Sequence, residues 1–335
     1  MHSPRQNVSL SRPSVVHRRT RRRWILSIYI YILCLLLSSI IYCYRFIPKS
    51  NEIERALISS PSVRIMYVIR TSSKFYQNRL IYLLQTWITF VQKHAYFVTD
   101  ELLTNVSENH LLLTKNTCGH EEHTMKMLCC KTAHDFVLFH RYQNKYNWFC
   151  HFDDDQYVHT KNLETYLATL DPYIPYYIGR NSWSKPVQRT KSPSPYPFWF
   201  ATLGAGVCFS RELVNRLQPY TQNISQFSTG CVQENYHDDI YLGFLISAYL
   251  NVTLTKNYRF HSHLEKDFYE EKQAFFDTFT KQITFGFRIP RRYPAFLPNL
   301  YSNDPYRLRT LHCLLYPYLF ECQKRIRQHL FNITE

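Results

Sequence analysis

Three consecutive carboxylates, Asp153, Asp154 and Asp155, follow directly on the aromatic run at residues 148–152. Such a run is typical of a buried strand, which delivers its last residues to the carboxyl edge of a sheet, where α/β folds place ligands. If the backbone stays extended, Asp153 and Asp155 face one side and Asp154 the other. The adjacent charges repel one another, and a hard cation such as Mg²⁺ or Mn²⁺, which can also hold a diphosphate, offsets that repulsion. A solvated acidic turn is the alternative interpretation.

Two further clusters carry groups suited to catalysis or metal binding. Asp238 and Asp239 stand at the start of a predicted helix, where the helix dipole and free N–H groups keep a carboxylate ionised. An N-cap with a first-turn acid explains one of them, and a carboxylate facing a substrate hydroxyl could act as general base. His261 and His263 share a face if the chain is extended there, which suits metal binding, and a polar loop is the alternative.

The first predicted elements form a strand–helix–strand unit that would position the triplet. Residues 63–71 and 95–99 are compact apolar runs of the kind found in parallel sheets. Between them, residues 79–91 carry the 3.6-residue apolar stripe of an amphipathic helix. This order is typical of a βαβ unit and predicts a nucleotide-binding α/β layer. The later predicted helices cover residues 120–141, 162–170, 211–217 and 238–249, and the later predicted strands cover residues 174–179 and 198–202. We expect Ser210 to cap the helix over residues 211–217 and Pro219 to end it. Residues 182–197 are predicted to form a loop.

The amino terminus predicts a membrane anchor and therefore a compartment. Residues 1–23 are basic, and residues 24–44 carry no charge and are long enough to cross a bilayer as a helix. The arginines before this run place the tail in the cytoplasm, so that residues 45–62 form a stem and residues 63–335 a single lumenal domain. A cleaved signal peptide is the alternative, but the run is too long and lacks a cleavage site of small residues. Glycosylation sequons on the predicted lumenal side begin at Asn105, Asn223, Asn251 and Asn332.

Composition narrows the classes of function. Only 7 glycines argue against a glycine-rich phosphate loop, and the chain has neither a GxGxxG nor a Walker-type motif. The formal charge of +15 lies partly in the tail, and the moderately basic domain that remains suits an anionic ligand. Nucleic acid is not an expected partner in a lumen.

Disulfides are expected in the lumen. Spacing alone leaves the pairing open: Cys118 with Cys129 or Cys130, Cys150 with Cys208, and Cys313 with Cys322.

Four motifs in order give the chain a resemblance to a known family. They are WFCHFDDDQYV at residues 148–158, FWFATLGAGVC at residues 198–208, FHSHLE at residues 260–265 and LHCLLYP at residues 311–317. Together they resemble the Fringe family over about residues 63–322. Its members are β-1,3-N-acetylglucosaminyltransferases that extend O-linked fucose on EGF-like repeats of Notch-type receptors.

The resemblance implies a fold, a cofactor and a role for particular residues. The expected fold is α/β of the GT-A type, with UDP-N-acetylglucosamine as donor, Mn²⁺ as cofactor and a type II location in the Golgi membrane. Asp155 and His263 match the metal ligands, Thr71 and Asp154 the donor contacts, and Asp239 the catalytic base. The implied disulfides are Cys118–Cys130, Cys150–Cys208 and Cys313–Cys322, which leaves Cys129 and Cys231 unassigned.

Two departures from the family pattern bear on specificity. Leu203 stands where the family usually has glycine, which could narrow the acceptor or sugar pocket, and Tyr236-His237 replaces Leu-Pro beside the expected base. A related β-1,3-glycosyltransferase, for example a galactosyltransferase with another acceptor, is one alternative. A screen of UDP-sugar donors separates it from the Fringe activity. A non-catalytic lumenal protein that binds glycans or receptor ectodomains is another alternative, and Mn²⁺-dependent UDP binding without turnover on any acceptor would favour it.

Overall fold

A seven-stranded sheet brings the aspartate triplet to its edge. The computed structural model describes residues 63–104, 106–119, 124–189, 196–265, 268, 270–287, 294 and 296–333. The strands are β1 (Ile65–Arg70), β2 (Ala95–Thr99), β3 (Leu111–Leu113), β4 (Trp148–Asp153), β5 (Gln156–Val158), β6 (Tyr177–Gly179), β7 (Val207–Ser210), β8 (Leu254–Lys256) and β9 (Thr284–Gly286). The sheet order is β3–β2–β1–β4–β7–β6–β8, and β5 and β9 form a separate antiparallel pair.

The sheet is mainly parallel in its first half, as the sequence predicts. Strands β1, β2, β3 and β4 run parallel to one another, while β7 is antiparallel to both β4 and β6. The register of β1 on β4 sets Arg70 opposite Asp153, so the last residues of the two strands meet at one edge. The fold is therefore a mixed α/β fold whose parallel strands deliver polar residues to a shared edge.

The central strand β1 is apolar from Ile65 to Ile69 because both faces of the sheet are covered. In β1, Ile65, Tyr67 and Ile69 pack into one large apolar cluster, and Met66 and Val68 pack into the cluster on the other face. This alternation is the pattern of a buried parallel strand. The helices that flank the sheet and follow its strands are α1 (Ile81–Leu84), α2 (Ile88–Val91), α3 (Lys115–Cys118), α4 (Met125–Arg141), α5 (Thr160–Leu167), α6 (Arg211–Thr221), α7 (Ile224–Glu234), α8 (Asp238–Leu250), α9 (Lys272–Thr278), α10 (Leu308–Leu315) and α11 (Phe320–Ile333).

The helix predicted over residues 79–91 is broken into pieces. A π-helical turn at Tyr76–Leu80 leads into α1, and α2 follows after an interruption in which the Thr86 hydroxyl donates to the Tyr82 carbonyl at 2.7 Å. That side-chain bond competes with the helical ladder. Leu80 and Trp87 are nevertheless buried as the stripe predicts. The predicted face is right and the continuous helix is wrong.

Two other predicted boundaries are wrong. Residues 198–202 form only isolated bridges, from Phe198 to Val187 and from Ala201 to Asn181, and the strand beside β4 is the next apolar run, β7. The helix α6 is capped by Ser210 as predicted, but it continues through Pro219 to Thr221. A proline so near the helix end removes only one backbone hydrogen bond, and the buried side chains of Leu217 and Thr221 on either side of it stabilise the last turn.

Helix α4 begins later than predicted, and α7 was not predicted. The Thr124 hydroxyl accepts the Met127 N–H at 3.2 Å and caps α4, while residues 120–123 of the predicted helix lie outside the described residues. The helix α7 begins after Asn223, whose side chain accepts the Gln226 N–H at 3.0 Å. The helix predicted over residues 238–249 is confirmed as α8.

Three disulfides join one helix to another, and the fourth, Cys150–Cys208, joins the strands β4 and β7. The expected pairs Cys118–Cys130, Cys150–Cys208 and Cys313–Cys322 are confirmed. The two unassigned cysteines, Cys129 and Cys231, pair with each other and join α4 to α7.

The predicted tail, anchor and stem, residues 1–23, 24–44 and 45–62, lie outside the described residues, as does the sequon asparagine Asn105. Among the residues that the structure describes, no helix is both long enough and apolar enough to span a membrane. The described residues belong to one compact unit, 62–335.

Candidate active site

Asp153 has a different basic partner from Asp154 and Asp155. Asp153 is the last residue of β4, and Asp154 and Asp155 form the turn into β5. The predicted alternation is wrong, because this turn brings Asp154 and Asp155 to the same guanidinium, Arg79 Nη1, at 3.2 and 3.5 Å. Asp153 instead pairs with Arg70, whose Nη2 lies 3.1 Å from its Oδ1. Basic groups from elsewhere in the chain therefore offset part of the repulsion.

Arg70 joins the triplet to the second acidic cluster. Its Nη1 donates to Asp238 Oδ2 and to Thr132 Oγ1, each at 2.8 Å, while its Nε donates to Asp153 Oδ1 at 3.2 Å. The Thr132 hydroxyl in turn donates to the same oxygen of Asp238 at 2.8 Å. Two clusters that are far apart in the sequence thus become one site, held by a buried, charge-assisted network.

A second buried chain holds Asp153 in its ionised form. His151 Nδ1 lies 2.7 Å from Asp135 Oδ2, and its Nε2 lies 3.3 Å from Asp153 Oδ1. Burial lowers the pKa of His151, but the charge and hydrogen bond of Asp135, together with the bond to Asp153, raise that pKa to about 9, so the imidazole is charged at neutral pH. Burial raises the pKa of Asp153, but Arg70 and His151 together lower it below its usual value.

Asp154 is held on two sides. It accepts the Thr71 hydroxyl at 2.8 Å and Arg79 Nη1 at 3.2 Å. Burial raises its pKa to about 6, although Arg79 and Thr71 partly offset that rise. The predicted pair of donor contacts, Thr71 and Asp154, is therefore in direct contact.

Asp155 and His263 come together as a candidate metal pair. His263 Nδ1 lies 3.6 Å from Asp155 Oδ2, and Asp155 Oδ1 is buried without a hydrogen-bond partner among the described residues. Burial, followed by Asp153 and Asp154, raises the pKa of Asp155 well above its usual value. A cation would satisfy the orphan oxygen and relieve the repulsion, and a carboxylate oxygen with an imidazole nitrogen suits Mn²⁺. The residues present fit such an ion.

The predicted pairing of His261 with His263 on one extended face is wrong. His261 is buried, with Nδ1 3.0 Å from Glu265 Oε2 and Nε2 3.1 Å from Gln282 Oε1. The chain turns at His263, which alone of the two reaches Asp155. A Cβ on Gly286 of β9 would lie 2.5 Å from the His263 backbone nitrogen, so glycine permits the close approach.

Asp239 stands in the first turn of α8. Its Oδ1 accepts the Ile240 N–H at 2.8 Å, and burial, followed by the charge on Asp238, raises its pKa to about 7. Neither acid is the N-cap, which is His237, and the predicted capping role is wrong. Asp238 is buried in the Arg70 network instead, which leaves Asp239 as the carboxylate of this pair that is available for proton transfer.

A polar cavity of about 590 Å³ opens beside the triplet. Its walls include Thr71, Arg79, Lys131 and His263 as well as Asp153, Asp154, Asp155 and Asp100. Lys131 Nζ donates to the Thr71 carbonyl at 3.3 Å, and burial lowers the Lys131 pKa. The cavity therefore presents carboxylates and cations side by side, an arrangement suited to a metal and an anion together.

Several of these groups were not predicted from the sequence. Arg70 offered a signal, since a charged residue ends an otherwise apolar strand, but Arg79, Lys131 and Thr132 lie on helical segments where polar residues are ordinary. Leu203 has its side chain in the apolar cluster, and it is the next residue, Gly204, that faces the triplet, with a Cβ position 3.9 Å from Asp153 Oδ2. The Leu203 side chain therefore packs in the apolar core, and other residues line the cavity beside the triplet.

Comparisons with known proteins agree on one family. The family model described as Fringe-like matches residues 61–319. A β-1,3-N-acetylglucosaminyltransferase radical fringe of Notophthalmus viridescens is 33% identical over 78% of this chain and 66% of its own length. A Fringe glycosyltransferase of Drosophila melanogaster is 32% identical over 78% of this chain and 64% of its own length. A lunatic fringe of Danio rerio is 34% identical over 76% of this chain and 68% of its own length.

The chain therefore spans slightly less than two thirds of the length of the first two relatives. Among solved structures, a glycosyltransferase involved in the glycosylation of the major capsid of PBCV-1 matches with a TM-score of 0.35 and 11% identity, over 68% of this chain and 96% of its own. A similarity of that size supports no inference about function.

Proposed function

The chain belongs to the Fringe-like family, and on that premise we propose that it transfers N-acetylglucosamine from UDP-N-acetylglucosamine, in β-1,3 linkage, to O-linked fucose on EGF-like repeats of Notch-type receptors. The proposal includes a GT-A type catalytic domain held in the Golgi lumen by a type II anchor. One observation supports it: Arg70 bonds both Asp153 and Asp238, so the candidate metal ligand Asp155 and the candidate base Asp239 are each close in sequence to a member of one hydrogen-bonded network.

Asp239 acts as the general base in this proposal. It accepts the proton from the fucose 3-hydroxyl as that oxygen forms a bond to the anomeric carbon of the donor sugar. The bond from that carbon to UDP breaks on the opposite face, which inverts the configuration. A pKa of about 7 is close to the operating pH, where a general base is most effective. Asp238 is occupied by Arg70 and Thr132 and positions the turn without taking the proton.

The donor side of the site is polar and charged. Thr71 and Asp154, already in contact, line the cavity where the nucleotide sugar would lie, and Lys131 adds a cation to the same wall. Asp155 and His263 would hold Mn²⁺. When bound, the ion supplies Lewis-acid stabilisation of the departing diphosphate. Arg79, which pairs with both Asp154 and Asp155 here, supplies further positive charge beside the leaving group.

A product assay with the full-length chain in detergent tests the proposal. The acceptor is an O-fucosylated EGF-like repeat, incubated with UDP-N-acetylglucosamine and Mn²⁺ and followed by mass spectrometry. We expect a gain of one N-acetylhexosamine that disappears with a chelator and in Asp155→Ala. The matched control is Asp277→Asn, an exposed carboxylate on α9, which should transfer normally.

The outcomes separate the competing functions. Transfer of another hexose in a screen of UDP-sugars would replace the donor assignment and favour a related β-1,3-glycosyltransferase. Metal-dependent UDP binding without transfer to any acceptor would favour a lumenal binding protein. Transfer that survives both chelation and Asp155→Ala would contradict the metal assignment.

A further inference from the structure

An exposed surface of aromatic and basic side chains lies beyond the carboxyl ends of β6 and β8. We call it the aromatic ledge and define it by Arg180, Trp183, Trp199, Lys256 and Tyr258. Trp183 is 49% exposed and Tyr258 is 61% exposed, high values for large rings. Lys256 Nζ sits 3.2 Å from the Trp199 ring centroid, and the Arg180 guanidinium lies 5.4 Å from that of Tyr258. Rings and cations therefore alternate across the surface.

Strand pairing and hydrogen bonds fix the backbone of part of the ledge. Lys256 pairs with Gly179 across β8 and β6, and the Asn257 N–H donates to the Gly179 carbonyl at 2.9 Å. The Asn181 side chain donates to the Trp183 carbonyl at 2.7 Å and holds that turn. A backbone that is already fixed by such bonds costs little additional conformational entropy when a partner binds to it.

Packing connects the ledge to the proposed base. The Trp183 ring stacks edge-on against Phe200, with centroids 5.3 Å apart. Phe200 in turn lies directly on Gly243 of α8, where a Cβ would come within 2.9 Å of the Phe200 Cα. Gly243 is four residues after Asp239, so both lie on the same face of α8, about 6 Å apart along its axis. The ledge therefore packs, through Phe200, on α8 at a point one helical turn beyond Asp239.

The ledge carries positive charge, which favours an acidic partner. Arg180, Lys256 and the exposed Lys185 beside Trp183 are cationic, and Arg180 already has one acidic partner, Glu265, at 3.4 Å. Exposed tryptophan, tyrosine and arginine side chains are the groups that dominate protein interfaces. An acceptor that extends beyond the sugar at Asp239 along α8 would pass toward these rings.

We propose that the aromatic ledge binds an acidic surface of the polypeptide that carries the acceptor sugar, so that this enzyme distinguishes a folded glycoprotein from a free glycoside. The proposal rests on the function proposed above, because it takes Asp239 as the position of the acceptor hydroxyl. Burial of Trp183 and Tyr258 supplies affinity, and Lys256 and Arg180 supply charge complementarity.

The test compares two acceptors with the full-length chain and its variants. The first acceptor is an O-fucosylated EGF-like repeat with an acidic face, and the second is an aryl α-fucoside that has no polypeptide. Binding of the repeat is measured by interferometry and kcat/KM is measured for both acceptors. We expect Trp183→Ala and Lys256→Glu each to weaken binding of the repeat about tenfold and to lower its kcat/KM by a similar factor, with less than a twofold change for the fucoside. Lys256→Arg should restore binding, and added salt should weaken it.

Matched controls are available on the same chain. Tyr173, a 64% exposed ring in the segment before β6 at the opposite end of that strand, and Lys324, an exposed lysine on α11, should tolerate Tyr173→Ala and Lys324→Glu without effect. The ledge proposal is overturned if wild type transfers sugar to both acceptors while the ledge variants bind the repeat as tightly as wild type or slow both acceptors equally. Failure of the proposed function has a different signature, since wild type would then transfer N-acetylglucosamine to neither acceptor.

Discussion

Replacing Arg70 with methionine removes the guanidinium that pairs with both Asp153 and Asp238 while keeping an apolar stem of similar length. The Arg70 side chain is only 10% exposed, and its nitrogens lie 3.1 Å from Asp153 and 2.8 Å from Asp238. Removing one partner of a buried ion pair destabilises a protein by about 3–5 kcal/mol, since the remaining charge is left uncompensated. One cation serves two carboxylates here, and we expect the free energy of unfolding to fall by about 4 kcal/mol at neutral pH.

The pH dependence of this loss follows from the Asp153 pKa. Burial raises that pKa, but Arg70 and His151 lower it below the usual 3.8. A carboxylate with a depressed folded-state pKa contributes stability that is fully present above the unfolded pKa and is lost as pH falls through the folded pKa. The difference between wild type and Arg70→Met should therefore be constant near neutrality and should narrow below about pH 4.

Urea unfolding of residues 62–335, followed by tryptophan fluorescence, measures the effect. The matched control is Arg216→Met, which removes a surface pair with Glu212 at 2.7 Å and should change the free energy of unfolding by less than about 0.5 kcal/mol. The reasoning is refuted if Arg70→Met is no more destabilising than Arg216→Met, or if its loss is as large at pH 3 as at pH 7.

The other predictions concern α8 and the segment that leads into it. Burial and the adjacent carboxylate raise the pKa of Asp239 to about 7, and only its ionised form accepts a proton. Turnover should therefore rise as the pH increases through about 7, which a pH–rate profile measures. Gly243→Ala should lower the free energy of unfolding by about 2 kcal/mol and slow turnover, since a Cβ there overlaps Phe200, and urea unfolding with a turnover assay checks both. Removing the Cys129–Cys231 disulfide with two serines should lower the free energy of unfolding by about 3 kcal/mol and slow turnover, because its sulfur atoms lie beside the chain that enters α8.

The controls for these three predictions use the same assays. The Cys313–Cys322 disulfide joins α10 to α11, so replacing it with two serines should reduce stability and leave turnover intact. Equal turnover losses from both disulfide variants would contradict a positioning role for Cys129–Cys231. A pH–rate profile that is flat between pH 6 and 8 would contradict the pKa argument for Asp239. Gly243→Ala with wild-type stability would contradict the close packing on Phe200.

The parts of the site that the sequence predicted depend on short-range patterns. An apolar run followed by Asp153 placed the triplet at a sheet edge, and parallel strands β1 and β4 bring Thr71 to Asp154 at that edge. Residues next to one another at strand ends need only the strand order and the register to be right. Three of the four disulfides and the candidate metal ligands Asp155 and His263 came from the resemblance to the family, while the Cys129–Cys231 pair was left open.

The parts that were missed depend on contacts across long stretches of chain. Arg70 and Asp238 are 168 residues apart, and no local pattern shows that one cation links both acidic clusters. His261 and His263 have the spacing of a metal-binding pair, but the bonds of His261 to Glu265 and Gln282 come from the surrounding fold. Phe198–Thr202 has the composition of a strand, yet packing on α8 takes that segment out of the sheet.

The central claim is that Asp239 takes the proton of the acceptor in a sugar transfer, and the kinetics of Asp239→Asn test it most directly. The amide keeps the shape of the side chain and cannot accept the proton. With UDP-N-acetylglucosamine, Mn²⁺ and an O-fucosylated EGF-like repeat, we predict that kcat falls about 10²- to 10⁴-fold while the KM for the donor stays within about threefold. An Asp239→Asn enzyme that retains most of its kcat would contradict the account.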